Sequence, residues 1–137
     1  MRNLAAIVVL TSLFAIGCKN KESMVPGTWK TPSGSCIAKE DKTFTFSVGP
    51  LTETGTWKMD GDDVVLTPLI VNGKTVQSIK QNAMARYSSL SEKARQVLDD
   101  LDKPDVLNLS VDGKTMTTDK AKDKNSGPPV TLTKSSS

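Results

Sequence analysis

The chain has 137 residues with a near balance of 18 basic and 15 acidic side chains, a formal charge of +3. It contains no histidine, which removes His-based acid–base catalysis and every His-containing zinc site. The mixed signs and the 4% aromatic content exclude the basic, aromatic-studded face of a nucleic-acid binder.

Met1 to Gly17 has the build of an export leader. Arg2 supplies a positive start, Leu4 to Ile16 is an apolar run broken only by Thr11 and Ser12, and small residues precede Cys18. The run is about 13 residues, shorter than the roughly 20 a membrane-spanning helix needs. A polar stretch, Lys19-Asn20-Lys21-Glu22-Ser23, follows at once and reads as a tether reaching to Val25. What remains after the leader suffices for one domain and is too short for two.

Within that domain Gly27-Thr28-Trp29-Lys30 recurs as Gly55-Thr56-Trp57-Lys58. Alternation with a period of two puts Gly and Trp on one face and Thr and Lys on the other, the pattern of a half-buried strand. Phe44, Phe46 and Val48 alternate with Thr43, Thr45 and Ser47 in the same way, and Gly49-Pro50 turns the chain back. Asp60-Gly61, Asn72-Gly73 and Asp112-Gly113 are short-hairpin sequences, the first read as a type I′ turn. Val64 to Val71 is apolar on both faces, with Pro68 marking a bulge or an edge. Three such turns predict an antiparallel meander.

From Ser78 to Lys103 the period changes. Ala83, Tyr87, Leu90, Ala94, Val97, Leu98 and Leu101 form one helical stripe, expected to cover the side or an end of the sheet and giving a helical insertion at 79–102. Ser89-Leu90-Ser91-Glu92 matches a capping box that starts a separate helix near Leu90, and Lys103-Pro104 stops it. Leu107, Leu109 and Val111 alternate again, then Met116 and Thr118 share a face. Lys120 to Pro129 reads as a polar loop, and Val130 to Thr133 closes the sheet before a frayed serine end. The fold class expected is mainly β, with about seven or eight short strands and one helical insertion.

Ala15-Ile16-Gly17-Cys18 resembles the lipobox of bacterial lipoproteins, departing from it in having Ala15 where leucine is usual. The resemblance implies cleavage before Cys18, a diacylglyceryl group on its thiol and an acyl chain such as palmitate on the new amino terminus. It also implies a home in the cell envelope, and Lys19 in place of Asp resembles sorting to the periplasmic side of an outer membrane in an organism with two membranes. An ordinary secretory leader with Cys18 unmodified is the other reading, and it would free Cys18 to pair with Cys36. Otherwise Cys36 is expected to be a small buried hydrophobe.

Gly27-Thr28-Trp29 resembles the Gly-x-Trp of the lipocalin first strand. With the second copy and the closing Thr131-Leu132-Thr133-Lys134, the stretch from 25 to 134 is similar to small lipocalin-like domains of bacterial lipoproteins. The chain is shorter than a full lipocalin, carries its helix in mid-domain and shows no second lipocalin motif. The organisation is thus a leader at 1–17, a lipidated tether at 18–24 and a lipocalin-like domain at 25–134.

No catalytic or metal site is expected. Asp60-Gly61-Asp62-Asp63 lacks the ligand spacing and closing Glu of a calcium loop. Glu53 has no evident carboxylate partner for a hydrolase dyad. No cofactor is expected beyond covalent lipid on Cys18. Trp29, Trp57, Phe44 and Phe46 are the candidates to line a cavity for a small apolar molecule, with core packing as the other role for the tryptophans. The expected function is a membrane-anchored, non-catalytic binding barrel. Its alternative is an envelope inhibitor or protein-interaction module that works through loops such as 120–129 around a filled interior.

Overall fold

A computed structural model describes residues 20–136 of the protein. The leader and Cys18 lie outside the described residues. Nine strands form one antiparallel sheet: β1 (Gly27–Lys30), β2 (Gly34–Ala38), β3 (Thr43–Val48), β4 (Leu51–Asp60), β5 (Asp63–Val71), β6 (Lys74–Thr75), β7 (Asp105–Leu109), β8 (Thr115–Thr118) and β9 (Thr131–Lys134). Eight of them close a barrel, in the order β1-β2-β3-β4-β5-β7-β8-β9 and back to β1, while β6 is a two-residue spur on β5. Closure leaves no open edge of unpaired backbone groups. The predicted meander is therefore present, joined into a ring by β9 pairing with both β1 and β8.

The paired motifs explain the interior. Trp29 and Trp57 both point inward and are essentially fully buried, as are Cys36, Phe44, Val64, Leu109 and Met116. Trp29 sits opposite Cys36 across β1 and β2, and Phe44 opposite Gly55 across β3 and β4. Gly55 is required there, since a Cβ would lie 1.9 Å from the Thr67 carbonyl oxygen and 2.9 Å from the Phe44 ring. Pro68 does mark a bulge: Thr54 pairs with Ile70 and Gly55 with Pro68, which leaves Leu69 without a partner on β4.

Several expectations need correction. The sequence reading contains no strand at Gly34–Ala38, yet β2 is a full member of the barrel. Its inward residues are small (Cys36 and Ala38) because Trp29 and Phe44 beside them take up the space. At Asp60-Gly61 the two-residue loop is Gly61-Asp62, and of the pair only Gly61 has positive φ, which fits a type II′ turn rather than I′. Asn72-Gly73 has both residues at positive φ, as I′ demands. The helical stripe is carried by α2 (Val76–Met84), a 3₁₀ turn at Tyr87–Ser89 and a separate α3 (Glu92–Asp100), which begins close to Leu90 as the capping box predicts. The cap of α3 is Ser91, whose hydroxyl accepts from the Ala94 amide, so Leu90 stays extended. Val97, assigned to the stripe, faces solvent, whereas Leu98 is buried.

The tether also differs. Lys21–Met24 form one helical turn (α1) capped by Asn20, and Val25 is wholly buried. This segment closes one end of the barrel. Trp29 Nε1 donates to the Val25 carbonyl at 2.8 Å, and Lys134 Nζ reaches the Met24 carbonyl while lying over the Trp29 ring. Lys21 pairs with Asp62 at 2.8 Å and Glu22 with Lys42 at 2.7 Å, tying the turn to two hairpins at that end. The Trp29 indole and the Lys134 ammonium enclosed here need those carbonyls, which is why a nominally polar run folds back.

Candidate functional site

The other end of the barrel carries the longer connections: the helical stretch between β6 and β7 and the loop between β8 and β9. Between them is a cavity of about 250 Å³. Its deep walls are Phe44, Leu66, Leu107 and Leu132, with Phe46 and Val130 nearer the mouth. Every strand contributing an apolar wall does so through the inward half of its alternation, so the cavity follows directly from the period-two pattern.

Polar groups gather at the mouth. Glu53 on β4 and Asp105 at the start of β7 both line it, with Asn125 and Asp123 from the β8–β9 loop. Asn125 Nδ2 donates to Asp105 Oδ1. The Asp123 carboxylate accepts from the Val106 amide at 3.4 Å and from the Asn125 amide at 2.7 Å, which bends the loop inward. Asp100, at the end of α3, accepts from Ser126 Oγ at 2.6 Å and Lys103 Nζ at 2.7 Å, and so pins the same loop from outside. Lys122 of that loop reaches the buried Asp63 at 2.6 Å, where Asn108 Nδ2 also donates. Residues 120–129 are thus a strap rather than a free loop, bordering the mouth through Lys120, Asp123 and Asn125 and anchored to the outer wall through Lys122.

Burial, then the negative charge of Asp105, pushes the Glu53 carboxyl up to about 7. Burial also raises Asp105, against the hydrogen bond from Asn125 that lowers it. Deeper in the barrel, burial first and the Glu53 and Asp105 charges next push the Cys36 thiol up to about 12. Cys36 is accordingly a neutral, fully enclosed group, as expected of a small hydrophobe.

Of the residues proposed from sequence, Phe44 and Phe46 line this cavity. Trp29 and Trp57 do not; Trp29 belongs to the closed end, and Trp57 Nε1 donates to the Lys39 carbonyl at 2.9 Å with Lys42 over its ring. The reading of Glu53 as lacking a carboxylate partner is corrected: Asp105, distant in sequence, faces the same cavity. No sequence spacing announces that pair, because barrel closure alone brings β4 and β7 to one mouth. Among the described residues no group of three His, Cys, Asp or Glu could hold a metal, and no helix is long and apolar enough to cross a membrane. The chain matches no protein-family model, no curated protein and no solved structure.

Proposed function

We propose that the protein is a lipid-anchored, non-catalytic binding protein of the bacterial cell envelope, whose barrel holds a small, mostly apolar molecule. The cavity carries this reading: an apolar chamber inside a closed barrel, with a few polar groups converging at one end, is the usual form of a small-molecule site. An engineered cavity of about 150 Å³ accommodates benzene, so a chamber of this size suits a ligand of about ten non-hydrogen atoms. That is well short of a whole lipid. The non-catalytic reading rests on the chain's lack of histidine and on Cys36 being enclosed and held neutral by burial.

The leader and Cys18 support the envelope location, and globomycin should make an unprocessed precursor accumulate if Cys18 is lipidated. Ligand binding is tested by melting the leaderless protein with a panel of small apolar alcohols and aromatics. A ligand at about one hundred times its Kd adds about 2.7 kcal/mol, and Val130→Trp at the rim should abolish the response. A flat response across the panel would overturn this reading in favour of a protein-interaction module.

A further inference from the structure

We propose that the cavity selects an amphiphile whose polar end is a protonated amine, seated with its apolar end deep in the barrel and the ammonium at Glu53 and Asp105. This rests on the binding reading above and names the chemistry of its ligand.

The mouth has acceptors to spare and donors already committed. Among the described residues Glu53 has no hydrogen-bond partner, and Asn125 Oδ1 is a buried acceptor with none. The donors nearby are engaged. Asn125 Nδ2 serves Asp105, Lys120 Nζ serves the Asn125 and Gly127 carbonyls, and the Thr118 hydroxyl is matched to the Val130 backbone. A ligand filling the chamber displaces solvent from these acceptors and must replace its hydrogen bonds. An ammonium offers three donors, no acceptor and the complementary charge; an alcohol offers one donor, and a carboxylate none. A short-chain carboxylate such as octanoate therefore fits the walls and is repelled by the mouth.

Strand order fixes the direction. Glu53 lies near the start of β4 and Asp105 at the start of β7, both at the strapped end, while Phe44 and Leu107 lie further in. The charged groups around Glu53 are Asp105 on β7 and Asp123 and Lys120 on the strap, with neutral Cys36 on β2 inside. Selectivity for the amine should thus strengthen as pH rises past neutrality and Glu53 ionises.

The test uses the protein from Lys19 to Ser137, which keeps every strand of the barrel and its closing turn. Calorimetric titrations with octylamine, octanol and octanoate share one tail and differ at the polar end. At pH 8.5 octylamine should bind about tenfold or more tighter than octanol, as expected for a charge-assisted hydrogen bond, with octanoate weakest. At pH 5.5 the advantage of the amine should shrink severalfold. Glu53→Gln should remove most of it and leave octanol binding within about threefold. If octanoate binds as tightly as octylamine, or the advantage survives in Glu53→Gln, the amine proposal falls and the apolar cavity stands. If none of the three binds, the binding reading itself falls and this proposal with it.

Discussion

Glu53→Gln should stabilise the protein above neutral pH and leave it nearly unchanged in acid. The carboxyl is raised from its ordinary 4.5 to about 7, first by burial and then by Asp105. Each pKa unit corresponds to about 1.4 kcal/mol, so the whole shift amounts to about 3 kcal/mol. Solvent reaching the rim screens part of this, which leaves about 2 kcal/mol. The folded protein holds this proton more tightly than the unfolded chain does. Stability is therefore undiminished below the unfolded value, falls as pH rises between the two values, and carries the full cost above the folded one. Asp105, raised in the same direction, adds to the same slope. Glutamine keeps the size of the side chain and drops the charge. Urea unfolding followed by tryptophan emission should place Glu53→Gln about 2 kcal/mol above the parent at pH 8 and level with it at pH 4.5. Any constant contribution of the amide cancels between the two measurements. An equal difference at both pH values, or no gain at pH 8, would refute the reasoning.

Gly55→Ala should cost about 3 kcal/mol in the same urea unfolding, because its Cβ meets backbone rather than a movable side chain, whereas Gly127→Ala, with nothing within 4 Å, should be neutral. Cys36 should resist thiol reagents at pH 8 until the protein unfolds, so that its labelling rate follows global opening across a urea series; rapid labelling in native buffer would contradict its enclosure. Asp100→Ala releases Ser126 and Lys103 and should speed trypsin cleavage after Lys124 severalfold by mass spectrometry. An unchanged cleavage rate would show that the strap is held elsewhere.

The barrel was legible wherever alternation and turn residues agree. Both Gly-Thr-Trp-Lys copies, the Phe44–Val48 strand and the Pro68 bulge could be read this way because each is set by neighbours in sequence. β2 escaped because small inward residues carry little hydrophobic contrast, and their smallness is explained only by Trp29 and Phe44 on the adjacent strands. The helical stripe was legible as helix, and the capping box at Ser89–Glu92 made a separate helix near Leu90 legible too, but not that Ser91 would be its cap. Phe44 and Phe46 were legible as cavity candidates from their shared face. The Glu53–Asp105 mouth was not, because its members meet only when the sheet closes on itself. The fold of Asn20–Val25 was likewise invisible, as it depends on the indole of Trp29 needing the Val25 carbonyl.

The turn at Lys21–Met24 would also set which way the molecule faces if Cys18 is acylated as proposed. It seals the end opposite the strap, and Cys18 is only two residues before its cap. An acylated Cys18 would plant the sealed base against the bilayer and lift the opening clear of it by the height of the wall, roughly 20 Å for strands of this length. Cargo would then arrive from the aqueous side instead of sliding in from the lipid. That orientation suits a sentinel for dissolved molecules better than a carrier that extracts them from the membrane beneath it.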